Sequence, residues 1–134
     1  MILDRTRTIK TIGILNQVTA SGVLLYWLGF FTIGLAPDNA PTGYLEYEHA
    51  FPLPDLILAG LMFLSGWQLQ RQQIAAVALA LSCAGALIFL GVLDFSFNLQ
   101  NGMYQLSTAE LISNASINIW CIGYGLFAYC YLAK

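Results

Sequence analysis

With 134 residues, of which 58% are hydrophobic and 9% charged, this chain has too few charges to clothe a soluble domain, whose surface takes roughly a quarter or more. A mean hydropathy of +0.69 is that of an integral membrane protein. The net charge of −2 only sums two opposite sides, and no basic groove or aromatic-basic interleaving points to nucleic acid as a partner.

The first apolar run covers about residues 11–36, roughly 37 Å at the helical rise, enough to cross a bilayer with some tilt. It follows a basic stretch, yet it exceeds the roughly 7–15 residues of a signal-peptide core, and Pro37 stands where a cleavage site would be. It is therefore read as a retained span that Pro37 ends. An outer loop, residues 37–53, carries Tyr44, Tyr47 and Phe51, aromatics that suit a membrane interface, and is expected to fold over the mouth of the bundle. The second span, about residues 54–69, opens at Pro54, whose missing N–H costs little at a first helical position, and Asp55 there complements the helix dipole. A tight turn at residues 70–73 makes the second and third spans antiparallel neighbours. The third span, about residues 74–97, carries two rows of small side chains, Ala76, Ala80, Ala84 and Ala78, Ser82, Ala86, where another helix can approach closely in lipid. Asn101-Gly102 is a strong turn dipeptide, and the fourth span, about residues 108–132, closes the fold with Trp120, Tyr124, Tyr129 and Tyr131. The expected fold is a single all-α integral membrane domain, an antiparallel four-helix transmembrane bundle without internal repeats.

Charge orients it. Arg5, Arg7, Lys10, Arg71 and Lys134 all flank one side, so that side and both termini are expected to be cytoplasmic. Asp38, Glu46, Glu48, Asp55, Asp94 and Glu110 fall toward the other side, where His49 is the sole candidate cation.

Within the spans, Asp94, Asn98 and Asn101 share one helical face, and Glu110, Asn114 and Asn118 another. Counted from the Asn101-Gly102 turn, Asp94 and Glu110 reach similar depth and are expected close together, with Gln17, Thr19 and Ser21 adding polar groups in the inner half. Inserting an Asp at a helix centre costs about 2.5–3.5 kcal/mol, less near the interface. Protonation, an outward cavity holding water or a cation, or a basic group from another protein would each offset that cost, and a proton shared by Asp94 and Glu110 is one form of the first. The structural alternative is that the Asn residues bond neighbouring helices and the acids reach headgroup water. Asp55 reads as a helix-terminal charge, and Asp38, Glu46 and Glu48 as solvated loop residues. Glu46, Glu48 and His49 form a weak metal signal, since one His with flexible carboxylates makes a poor ligand set.

Other chemistry has little support. Cys83, Cys121 and Cys130 form no C-x-x-C and read as small hydrophobes. A single loop His cannot supply a bis-His haem, though it leaves ligation of one chlorophyll open, and no cofactor is assigned. H-E-x-x-H, G-x-S-x-G, P-loop and dinucleotide patterns are absent, and no catalytic residue is identified.

At Phe51-Pro52-Leu53-Pro54-Asp55, and from Leu93-Asp94-Phe95-Ser96-Phe97-Asn98 through Leu99-Gln100-Asn101-Gly102-Met103-Tyr104, the chain resembles small four-pass bacterial membrane proteins of no established activity. That resemblance implies the topology and draws attention to Asp55, Asp94, Asn98 and Asn101. In helix count alone the chain is also similar to membrane sterol isomerases and their ligand-binding relatives, an analogy of architecture. The leading expectation is a non-enzymatic accessory subunit that docks in a larger membrane assembly or self-associates among membrane lipids. A second is an outward-facing ligand- or cation-binding bundle, a carrier or receptor, using Asp94, Asn98, Asn101, Glu110, Asn114 and Asn118. A third is an isomerase-like enzyme with one carboxyl as acid and the other as base. The expected location is a bacterial plasma membrane or a related internal membrane such as a thylakoid.

Overall fold

The computed structural model describes residues 2–134, and side chains from residue 5 onward. Its long helices are α1 (Ile2–Thr32), α3 (Pro52–Gln70), α4 (Ala75–Gln100) and α5 (Thr108–Leu132), with a short α2 (Tyr44–Glu48) and a single 3-10 turn at Met103–Gln105. Four helical segments are long and apolar enough to cross a membrane, and no strand occurs among the described residues. The long helices alternate in direction. Arg5, Arg7, Lys10, Arg71 and Lys134 therefore share a basic end, and the connections carrying Glu46, Glu48 and the Asn101-Gly102 turn form the opposite, acidic end.

The bundle is built from two tight pairs. Helix α1 lies along α3 and α4 along α5, with α3 against α4 as the seam; α1 and α5 meet through side chains rather than by close backbone packing. Small residues set each close approach. A Cβ added to Gly13 would stand 2.7 Å from the Gly66 carbonyl oxygen, and one added to Gly66 would strike the Gly13 carbonyl in return. Backbone thus meets backbone at the α1–α3 crossing, the geometry that small residues permit in lipid, where hydrophobicity does not drive helices together. Between α4 and α5, Gly91 fits beneath Cys121 and Ile122, and Gly125 lies against Ala84 and Ile88. Ala76, Ala80 and Ala84 are buried in the core, whereas Ala78, Ser82 and Ala86, the second small row, are not.

Polar ties fasten the basic half. Asn16 donates to the Ser65 hydroxyl at 3.0 Å, and Tyr124 donates to Asn16 Oδ1 at 2.6 Å and to the Ile12 carbonyl at 3.1 Å. Three helices, α1, α3 and α5, thereby meet on one buried amide. Gln70 adds a bond to Gln17 at 2.8 Å, and the Arg71 guanidinium lies 4.0 Å over the Trp67 ring.

Helix ends differ from the hydropathy boundaries for local reasons. Helix α1 starts well before residue 11, through Arg5, Arg7 and Lys10, because helical hydrogen bonding does not stop where polarity begins. It stops at Thr32 rather than at Pro37, since Gly34 takes a positive φ of 76° that ends the turn. Helix α3 begins at Pro52 rather than Pro54, with both prolines in its first turn. At the start of α5, the Ser107 hydroxyl accepts from the Glu110 N–H at 3.1 Å. Ser107→Ala should cost about 1 kcal/mol, seen as a fall of a few degrees in the unfolding midpoint of purified protein.

The segment between α1 and α3 folds back over the acidic end. Tyr44 is buried, and Tyr47 stacks face to face on Phe97 of α4, with centroids 3.6 Å apart and planes 4° from parallel. Phe51 packs edge-on to Tyr47. Helix α2 is therefore a cap fixed to α4 by aromatic contact.

Candidate functional site

The hydrogen bonds that join α1 to α5 are made at Ile12, Asn16 and Thr19, in the basic half and middle of α1, and nearer the acidic end the bundle encloses open space. A cavity of about 780 Å³ lies between α1, α3, α4 and α5, beneath α2. That volume is within the range of small-molecule sites, roughly 300–1,000 Å³. Its walls are mostly apolar, with Val23, Leu58, Leu87, Leu90 and Ile117 among them, and Tyr26, Trp27, Phe51 and Trp120 supply aromatic surface.

The cavity is covered on the acidic side by Glu48 and Phe51 but opens sideways. Four of its lining residues, Val18 (56% exposed), Leu25 (67%), Ile117 (40%) and Trp120 (43%), also face outward from α1 and α5. The opening is a slot between those two helices, at the height where a membrane's acyl chains would surround the bundle. Its lower edge is the bond from Trp120 Nε1 to Thr19 Oγ1, 3.0 Å, one of the few links from α5 to α1.

The carboxyl groups come from the elements away from the slot, while Thr19, Asn114 and Ser116 are the polar side chains of its two helices. Asp94 of α4, Asp55 of α3 and Glu48 of α2 all line the cavity. Trp27 Nε1 donates to Asp55 at 2.9 Å, holding the first turn of α3 against α1. Asn98, one turn above Asp94, donates to it at 2.9 Å, and Asn118 also bonds that carboxyl. Glu48 takes hydrogen bonds from Tyr26 and Tyr44, and it is near enough to Asp94 and Asp55 to feel their charges. No Lys, Arg or His lines the cavity.

Asn118 stands out within this group. It is 3% exposed, its Nδ2 donates to the Tyr104 hydroxyl at 2.7 Å, and its Oδ1 is buried without a partner. An amide oxygen left unpaired in a buried site costs about 1–3 kcal/mol, and a wall of a cavity is where a ligand can remove that cost.

The residues singled out from the sequence divide. Asp94, Asn114 and Asn118 line the cavity, and Asn98 supports Asp94 from behind. Glu110 does not line it; its carboxylate accepts from Asn114 on its own helix at 3.1 Å. The carboxyls facing the cavity with Asp94 are Glu48 and Asp55, whose sequence context alone reads as a solvated loop acid and a helix-terminal charge. Asn101 bonds the Phe97 carbonyl at 2.9 Å and is exposed. Gln17 and Ser21 are likewise spent locally, in the bond from Gln70 and on the Gln17 carbonyl. Glu46, Glu48 and His49 do not assemble a metal site. Glu46 is exposed, Glu48 turns inward, and the His49 ring stacks on Phe31; no group of three metal-binding side chains converges among the described residues.

Sequence reasoning missed Asn16, Tyr26 and Trp27 altogether. Trp27 carried a usable signal, being an indole near the end of a span, where its N–H needs a partner once buried. Comparison with protein-family models, with curated proteins and with solved structures gave no match.

Proposed function

We propose that this protein is a ligand-binding bundle that holds a membrane-soluble small molecule between α1 and α5. The supporting observation is the cavity: a bundle serving only as packing would close α1 against α5, and here the space is kept open, apolar at its sides and polar at one end. That favours a binding role over an accessory subunit, for which the structure offers no specific docking feature beyond its lipid-facing surface. In this reading the basic end lies in the cytoplasm, the acidic end and the cap face outward, and the protein resides in a bacterial plasma membrane or a related internal one. The carboxyls are site groups whose burial is offset by what they bind.

The test is native mass spectrometry of protein released from mild detergent, comparing wild type with Gly22→Trp. Gly22 lines the cavity on α1, and a Cβ there meets nothing within 4 Å, so the indole has room to fill the slot without disturbing the backbone. Wild type is expected to carry a near-stoichiometric non-protein mass, and Gly22→Trp to lose at least nine-tenths of it. Bare protein in both preparations, from the native membrane, would remove the proposal.

A further inference from the structure

The chemistry of the cavity's polar end defines the kind of molecule it takes, given the ligand-binding reading on which this inference rests. We infer that the ligand is a protonated alkylamine-type amphiphile, its ammonium head among Asp94, Glu48, Asp55 and Asn118 and its apolar chain leaving through the α1–α5 slot into the bilayer.

The tryptophan and asparagine side chains around the cavity each give a hydrogen to a protein acceptor, and the hydroxyls of Thr19 and Ser116 lie on the α1 and α5 walls, away from the carboxyls. Trp27 gives its N–H to Asp55 at 2.9 Å, Trp120 gives its own to Thr19 at 3.0 Å, Asn114 to Glu110 at 3.1 Å, and Asn118 to Tyr104 at 2.7 Å. The Tyr26 hydroxyl is held by Glu48. What remains at the carboxyl end is chiefly acceptors: carboxylate oxygens beyond those bonds and the unpartnered oxygen of Asn118, a residue only 3% exposed. An anion would meet three carboxyls with nothing to oppose them. A neutral alcohol brings one donor and no charge. An ammonium brings three donors and the missing positive charge, and Tyr26 and Trp27 offer ring surface beside it.

A bare metal cation would satisfy the charge but leave the apolar volume unexplained. The slot decides this point. Val18, Leu25 and Ile117 line the cavity and also face outward, so an apolar chain is continuous from the wall to the lipid. Beyond Trp120 and Ser116 an apolar groove formed by Leu15, Ile119, Tyr124 and Phe127 continues along the outer surface, giving a longer chain a track. The cap over the acidic end, held by Tyr47 on Phe97, leaves the bilayer as the route of access.

The experiment uses the full chain in phosphatidylcholine nanodiscs and reads the unfolding midpoint with dodecylamine, 1-dodecanol and dodecanoate as probes. Expected is a rise of several degrees with dodecylamine alone, lost in Gly22→Trp, with the half-saturating concentration at least tenfold higher in Asp94→Asn. Glu48→Gln, a lesser change at the cap, should shift it several-fold in the same direction and serves if Asp94→Asn does not accumulate. Equal stabilisation by dodecanol and dodecylamine, both lost in Gly22→Trp, would overturn the ammonium assignment while leaving the cavity a binding site. Stabilisation that persists in Gly22→Trp would mark a bilayer effect and overturn it as well. A wild type unmoved by dodecylamine overturns it too, and the bound mass in the native spectrum then shows separately whether the cavity reading stands.

Discussion

Gly66→Ile removes most of the folded protein from the membrane fraction. At Gly66 the nearest atom to an added Cβ is the Gly13 carbonyl oxygen, with Gln17 Cγ at 2.9 Å and Asn16 Cβ at 3.4 Å behind it. The first of these is backbone, which cannot swing aside as a side chain can. Accommodation would require α1 and α3 to separate, and with them the bonds from Asn16 to Ser65 at 3.0 Å and from Gln70 to Gln17 at 2.8 Å would break. Overpacking alone costs typically about 1–3 kcal/mol, and each lost interhelical bond adds about 0.6–2 kcal/mol in lipid. The sum is a large share of the roughly 5–15 kcal/mol that holds an ordinary domain folded. The control is Gly60→Ala on the same helix, where a Cβ meets open space and the substitution gains helix propensity. Fluorescence size-exclusion of a tagged protein in detergent should show Gly60→Ala unchanged or slightly more stable and the Gly66→Ile monodisperse peak reduced several-fold.

Asn16→Leu lowers the unfolding midpoint by several degrees and loosens α5 from α1. The amide joins three helices, donating to Ser65 and accepting from Tyr124 at 2.6 Å. Leucine has the same branched shape and number of heavy atoms, so the loss is chiefly of the two bonds, about 0.6–2 kcal/mol each. Ser65 keeps the Met62 carbonyl at 3.1 Å and Tyr124 keeps the Ile12 carbonyl at 3.1 Å, which limits the damage. Asn16→Asp is the informative companion. It keeps an acceptor for Tyr124 but loses the donor to Ser65 and buries a carboxyl, so its midpoint should fall further than that of Asn16→Leu. Thermal unfolding of both variants in the same detergent checks the order.

The span count and the buried alanine row were legible because they depend on properties carried by each residue or by fixed spacing on one helix. Ala76, Ala80 and Ala84 lie four apart and so share a face wherever α4 is placed. The turn at Asn101-Gly102 was legible for a similar reason, since Gly102 takes a φ of +67°. What spacing cannot supply is the rotation of one helix against another. Asp94 and Glu110 sit at similar distances from that turn, yet Asp94 faces the cavity and Glu110 is turned to Asn114. The acids that do join Asp94 come from α2 and α3, distant in sequence, and Asp55 satisfies the helix-dipole reading while also serving as a cavity group bonded to Trp27. The slot was illegible altogether. It exists because the close crossings at Gly13–Gly66 and at Gly91 and Gly125 draw the helices into two pairs and leave α1 and α5 apart, a result of four glycines in separate helices acting together.

The cavity and the cap together describe a site covered at the acidic end and open sideways, where lipid would lie in the proposed reading. Its polar end carries three carboxyls with no basic side chain beside them, and an orphaned buried oxygen of Asn118 lies in the cavity wall at that end. The most direct measurement is a crystal structure of the protein grown from a lipidic mesophase with native lipid added back. The account predicts elongated non-protein density running from Asp94 and Asn118 past Gly22 and out between Leu25 and Ile117. Helices α1 and α5 closed against each other, with the cavity filled by protein side chains and no such density, would contradict it.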